Sequence, residues 1–181
     1  MADYPPLETD RLLLRPLEQA DAPAIQRIFP QWEIVRYLNA RVPWPYPDDG
    51  AEAFIRATLP EIEAGGHWCW TIRPKDEPER LIGLIDLRDE EHENRGFWLD
   101  PAFRGQGLMS EASAAVTDYW FDVLKRPRLA MYKAAGNIGS RNISVRQGMR
   151  VVGTGERDFV EGRMTTELWE ITREEWQARR R

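Results

Sequence analysis

The stretch Gly96-Phe97-Trp98-Leu99-Asp100-Pro101-Ala102-Phe103-Arg104-Gly105-Gln106-Gly107-Leu108-Met109-Ser110-Glu111-Ala112 joins three kinds of sequence. A short apolar run is followed by Asp-Pro, then by Arg-Gly-Gln-Gly, then by helical periodicity. This predicts a strand that ends, a loop whose backbone can come close to a ligand, and a helix that starts facing that ligand. Glycines at 105 and 107 leave main-chain N–H groups bare where they could wrap an anion. The helix starting near Leu108 adds orphan N–H groups and the positive end of its dipole. A phosphate-bearing ligand suits such a place.

Working outward, residues 11–15 read as a first strand between Asp10 and Pro16. Asp21 is placed to cap a helix reaching about Phe29, with Pro23 in its first turn, and residues 32–37 continue as a second short helix. Three prolines in 41–47 exclude helix and central strand. Asp48 or Asp49 then caps a helix through about Ile62, bent or ended near Pro60, with Gly65-Gly66 as its stop. Strands are expected over 67–73, 80–87 and 95–99, with 89–93 as a charged loop. Ala112, Ala115, Val116, Tyr119, Trp120 and Val123 form the buried stripe of the helix after the glycine loop, which exits at Pro127. A strand over 129–134, a short helix over 137–147 closed by Gly148, and a hairpin of 150–160 with 163–171 follow. A short charged helix ends the chain. The expected fold is α/β (α+β), a mixed, mostly antiparallel central sheet flanked by helices, in one domain over 1–181.

Composition narrows the function. The 181 residues carry 42% hydrophobic and 30% charged side chains, an ordinary soluble balance with room for one core. Net charge is −5, which speaks against a general nucleic-acid binder, and the Arg179-Arg180-Arg181 tail reads as solvated. No run approaches a membrane span, and the opening Met1-Ala2-Asp3 resembles no secretory signal, so no membrane partner and a cytoplasmic location are expected. Cys69 is the single cysteine, which excludes internal disulfides and thiolate metal clusters; no metal is expected. A P-loop needs a Gly-Lys-Ser/Thr ending that the chain lacks, and a dinucleotide fingerprint meets Ser110 where Gly or Ala belongs.

With these residues in view, the chain resembles the GNAT superfamily of acyl-CoA-dependent N-acyltransferases, nearest to the branch that acetylates ribosomal-protein N-termini. Thr9-Asp10-Arg11-Leu12-Leu13-Leu14-Arg15-Pro16 resembles that branch's opening, and Leu81-Ile82-Gly83-Leu84-Ile85 its central hairpin. Gly96 to Ala112 resembles its coenzyme loop and helix, and Asn137, Ser140 and Gly148-Met149 its late Asn, Ser and Gly-Phe spacing. Two positions depart. Met109 stands where Gly or Ala is usual, which should narrow the approach to the pyrophosphate or shift the helix start. Asn94 stands where a Glu often supplies the base.

The resemblance implies transfer of acetyl from acetyl-CoA to a primary amine by direct attack in a ternary complex. Backbone N–H groups across Arg104, Gly105, Gln106, Gly107, Leu108 and Met109, with the Ser110 hydroxyl and the Arg104 charge, would hold the pyrophosphate. Main-chain donors at Trp98-Leu99 would meet the thioester oxygen. Asn137 would fix the coenzyme's amide arm, and Ser140 would hydrogen-bond near the sulfur and protonate it, although Asn-x-x-Ser is also a capping pattern. A lysine amine (~10.4) needs a base far more than an α-amine (~7.7–8.0) does. Asp86, a carboxylate closing an apolar strand, is the preferred base; the alternative is that it caps the next turn.

Trp32, Tyr37, Trp44 and Tyr46 are the candidate acceptor wall, or else the rings that pin the proline-rich loop. Cys69 reads as a buried small hydrophobe, and His67 and His92 lack metal-ligand spacing, with His92 expected to be solvated. The expected partner is an amine acceptor, either a peptide N-terminus or a small molecule; a homodimer is left open. The rival readings are an acyl-CoA-binding sensor without turnover and a nucleotide-binding domain.

Overall fold

The computed structural model describes residues 4–180; the readings made on residues 1–3 and on Arg181 lie outside the described residues. β1 (Leu7–Glu8), β2 (Leu12–Pro16), β3 (His67–Pro74), β4 (Gly83–Arg88) and β5 (Arg95–Leu99) form an antiparallel sheet in chain order. β6 (Arg128–Ala134), β7 (Arg150–Phe159) and β8 (Gly162–Thr172) form a second sheet in the order β6-β8-β7, also antiparallel. The helices are α1 (Ala22–Ile28), α2 (Trp32–Val35), α3 (Gly50–Ala64), α4 (Leu108–Asp118), α5 (Ile138–Arg146) and α6 (Arg173–Ala178). The expected mostly antiparallel sheet with flanking helices is therefore present, and the elements follow the sequence reading closely, apart from the added β1.

The first sheet carries a core on each face because its strands are apolar at consecutive positions. On one face Phe29, at the end of α1, meets Trp98 with ring centroids 5.4 Å apart. On the other, Trp70 meets Tyr119 at 5.4 Å and Trp68 meets Trp120 at 6.4 Å, so the α4 segment is tied to β3 by edge-on aromatic pairs. Asp21 and Arg73 form a buried pair at 2.6 Å beneath α1. Asp21 thus occupies the N-cap position without capping α1. Its carboxylate turns back to Arg73 and to the Glu18 N–H, a local partner set that outcompetes the helix end.

Three further expectations are corrected. α3 runs through Pro60 without ending there, because Pro60 lies on the exposed side, where the carbonyl it leaves unpaired meets water, while Ile55 and Ile62 anchor the helix in the core. Asp49 holds the N-cap position of α3, but its side chain makes no capping bond. After Asp118 the helix widens into a π turn over Tyr119–Val123. That turn rotates the register so that Phe121 is buried and Val123 is 59% exposed, although the regular period placed Val123 in the stripe.

What positions the site is the parting of the two sheets. β5 touches β6 only at its entrance, through a bridge between Glu93 and Met131 and a bond from Asn94 N–H to the Ala130 carbonyl at 2.9 Å. Beyond that point β5 is an edge strand facing open space. Asn94 is the rivet. Its Oδ1 accepts from Ala130 N–H at 2.8 Å, and its amide donates to the carbonyls of Arg88 and Glu90. Its buried amide is fully engaged in holding the strands together, a role a carboxylate could not fill on the donor side. Among the described residues no helix is long and apolar enough to cross a membrane.

Candidate active site

Two cavities meet where the sheets part. The first, about 480 Å³, lies against the glycine loop and the start of α5. Trp98, Leu99, Arg104, Gly105, Gly107 and Leu108 line it, as do Met109, Ser110, Asn137 and Ser140. All the residues read as coenzyme-binding are gathered there except Gln106, whose side chain is exposed and whose carbonyl accepts from Arg11 Nη1 at 2.9 Å. The second cavity, about 520 Å³, opens on the opposite face of the sheet, between β4, β5, α1 and α3. Tyr37, Leu38, Phe97 and Trp98 border both cavities, so a ligand in each would meet at the edge of β5.

The loop has the shape an anion needs. Gly105 and Gly107 both take φ +78°, left-handed backbone that side chains rarely adopt, and a Cβ at Gly105 would meet nothing within 4 Å. Gly107 is the N-cap of α4 and has no side chain to close that end, which leaves the first-turn N–H groups aimed at the cleft. The loop is braced from behind. Arg11 bonds Glu111 through Nε at 2.7 Å and through its main-chain N–H at 2.8 Å, and Thr9 bonds the same carboxylate. The Thr9-Asp10-Arg11 opening therefore serves a physical purpose, which is to fix the first turn of α4. These residues offer the bare donors and the open space that a diphosphate requires.

Met109 corrects one expectation. It is packed into the core and α4 still begins at Leu108, so the helix start is not shifted, while the residue keeps a place in the wall of the first cavity. The Arg104 guanidinium donates to the Glu33 carbonyl at 2.9 Å and clasps the loop to α2. Arg146, at the end of α5, was not singled out by the sequence. It borders the cleft and points Nη1 toward Ser110 Oγ at 3.5 Å. Only the meeting of α5 with α4 reveals it, because in sequence it is one more helix-surface arginine. Asn137 caps α5, accepting from Ser140 N–H at 3.2 Å, so the capping pattern and the place in the cleft hold together.

Asp86 borders the second cavity and is 5% exposed. His67 Nε2 lies 3.0 Å and Arg88 Nε 2.7 Å from its Oδ2. Its Oδ1 lies where a Cβ at residue 96 would come within 2.6 Å, so Gly96 is the residue that makes room for this carboxylate. Burial pushes the Asp86 carboxyl up, but the His67 hydrogen bond and the Arg88 charge outweigh it and the net direction is down. His67 also reaches Glu61 Oε2 through Nδ1 at 3.0 Å. Both ring nitrogens face carboxylate oxygens, so both contacts are hydrogen bonds only when the ring carries two protons. Sequence spacing gave no hint of this: His67 and Asp86 are 19 residues apart in the chain and meet only because β3 and β4 pair at the open end of their hairpin.

Tyr37 and Tyr46 stand in the wall of the second cavity, whereas Trp32 and Trp44 do not border it; these two pack against each other at a tilt of 48°, with centroids 5.7 Å apart. Glu93 borders it too, but is paired with Arg157 at 2.8 Å. His92 is half-buried and edge-on to Tyr132 at 5.9 Å, not solvated as expected. Cys69 is wholly buried, and burial with the nearby Asp86 charge pushes its thiol well up, which suits packing and not nucleophilic attack. Among the described residues no three His, Cys, Asp or Glu side chains gather to hold a metal ion.

Comparison with known proteins agrees with this geometry. The model of the Acetyltransferase (GNAT) domain matches residues 11–150. The uncharacterized N-acetyltransferase YoaA of Bacillus subtilis is 28% identical over 154 residues, 83% of this chain and 85% of that protein. The ribosomal-protein-S5-alanine acetyltransferase of Vibrio fischeri shares the fold with a TM-score of 0.81 at 16% identity, over 96% of this chain and 99% of that one. Mycobacterium smegmatis RimJ, solved with a CoA disulfide, does so with a TM-score of 0.80 at 20% identity, over 94% and 87%. With a bare-amide loop facing one cavity and a second cavity meeting it across a parted sheet, the chain belongs to the GNAT acetyltransferase family and is an acetyl-CoA-dependent N-acetyltransferase.

Proposed function

We propose that the acceptor is the free α-amino group of a peptide or protein, bound in the cavity that holds Asp86, while acetyl-CoA lies along the glycine loop. The amides of the loop and the α4 terminus, with Arg146, take the diphosphate; Asn137 takes the amide arm; Ser140 stands by the sulfur. The unpaired edge of β5 at Trp98-Leu99 supplies the main-chain donor for the thioester oxygen. Asp86 receives the incoming ammonium and its proton, and Tyr37 and Tyr46 flank the acceptor chain.

One observation carries the choice of acceptor. The carboxylate in the acceptor cavity is held acidic by His67 and Arg88, so it is a weak base. A weak base suffices for an α-amine that titrates at ~7.7–8.0, but leaves a lysine amine at ~10.4 almost wholly charged. The Vibrio fischeri relative is named for a ribosomal protein, which points the same way. Thiol release from acetyl-CoA over a panel of acceptors tests the reading. Alanine- and serine-led peptides with free N-termini should turn over, and the same peptides with a blocked N-terminus and one internal lysine should not. Turnover confined to lysine side chains or to small-molecule amines would contradict it.

A further inference from the structure

Lys133, on β6 at the parting of the sheets, is 6% exposed and pairs with no carboxylate among the described residues. Its Nζ lies 2.6 Å from Ser140 Oγ and 5.2 Å from the centre of the Phe97 ring. The groups that face it come from three elements. From β5, Phe97 offers its ring and Arg95 a second buried cation, which binds Thr117 and Gln147 and no acid. From β8, Glu167 stands opposite Lys133 in register, but its carboxylate is taken by Arg141 at 2.9 and 3.1 Å and by Trp169 Nε1 at 3.0 Å. From α5 comes Ser140. Burial and the Arg95 charge together hold the lysine well below its ordinary value.

A buried lysine without a counter-ion is costly, and a methionine of similar length would fill the same space more cheaply. Its hydrogen bond goes to the Ser140 hydroxyl, which borders the coenzyme cleft, and its ammonium faces Phe97, one of the four residues that border both cavities. We propose that Lys133 is the proton source behind Ser140, and that the pair protonates the departing sulfur. The inference rests on the reading that Ser140 stands by the sulfur. As the acceptor nitrogen bonds to the acyl carbon, the carbon–sulfur bond breaks and its electron pair goes to sulfur. Ser140 gives its hydroxyl proton to sulfur, and the Lys133 ammonium gives one to the Ser140 oxygen. The proton lost by the acceptor nitrogen goes to Asp86 and solvent, and solvent reprotonates Lys133. Lys133 thus acts through Ser140 as a positioning and supplying residue.

The test uses Lys133→Met, Lys133→Arg, Ser140→Ala and the Lys133→Met/Ser140→Ala pair, with folding checked by thermal melting. Thiol release is followed against pH with an alanine-led peptide and, separately, with water as the only acceptor. Lys133→Met should lower kcat about 100-fold, leave the KM for acetyl-CoA within about twofold, and remove the alkaline fall in rate. Lys133→Arg keeps a charge that does not release its proton in this range, and should be equally slow. The pair should be no slower than its slower member, since both lie on one proton path. In the coenzyme-free protein, NMR of lysine side chains should show one lysine titrating below the ordinary range, absent in Lys133→Met and moved by Ser140→Ala. That spectrum and Lys133→Arg decide the matter if Lys133→Met does not fold.

A wild-type rate in either lysine variant, losses that add, or a Lys133 titration at the ordinary value or indifferent to Ser140 would overturn the proposal. A slow Lys133→Met beside an unchanged Ser140→Ala would also overturn it, because the lysine would then not act through the serine. An unchanged Ser140→Ala with every lysine variant unchanged would strike the reading of Ser140 itself along with the proposal.

Discussion

At the residue scale, Asp86 shows how one carboxylate can be kept charged inside an apolar strand. Its carboxylate is buried between the buried His67 and Arg88, whose side chain is 34% exposed, so removing the charge should cost about 3 kcal/mol at neutral pH, the low end for broken buried pairs because water screens Arg88. Its folded titration lies below the ~3.9 of an unfolded aspartate, so it lends stability above about pH 4 that is lost as pH falls through the folded value. Asp86→Asn should therefore flatten the fall of stability below about pH 4, as read by urea unfolding at stepped pH. It should also lower peptide turnover about 10- to 100-fold, most strongly at low pH, with coenzyme affinity unchanged. An unaltered acid limb would mean that the pairing contributes nothing, and an unaltered rate would remove Asp86 from the reaction. The sequence pointed to Asp86 because a charge ended an apolar run. It could not point to His67, Glu61 or Lys133, whose meaning comes from strand register and from a helix packed across it, not from spacing along the chain.

At the scale of elements, the glycine loop and α4 work as one piece because Thr9 and Arg11, in the turn between β1 and β2, hold Glu111. Gly107→Val would force a branched side chain into left-handed backbone at the helix N-cap, and should abolish measurable CoA binding by calorimetry. Arg146→Ala should weaken CoA about 10- to 100-fold, the worth of one charge-assisted contact, without changing the fold. Undiminished affinity in both would place the diphosphate elsewhere. Regular elements were legible wherever local pattern and burial coincide, as in β5 and the regular part of α4. They were misjudged where they part. Leu81 and Ile82 are buried, so the apolar run reads as strand, yet the β4 ladder starts at Gly83. The helical period likewise carried Val123 inward, because nothing in the side chains marks the π turn that turns it out.

At the scale of the whole molecule, the decisive feature is that two sheets are fastened at one end by Asn94 and open at the other. The opening lets a cavity on each face share Phe97 and Trp98, and on the proposed function an amine from one side would reach there an acyl group delivered from the other. The family and its coenzyme were legible from the order of the motifs. Of the four rings expected to flank an acceptor, Tyr37 and Tyr46 border the second cavity and Trp32 and Trp44 do not, a difference in placement that composition does not carry.

Both cavities take their meaning from where CoA lies, and a crystal structure of the complex measures that. The diphosphate should sit on the amides from Gly105 to Ser110, with the sulfur between Ser140 and Phe97 at the open edge of β5. Density for the diphosphate away from that loop, or for the sulfur away from the junction of the two cavities, would contradict it.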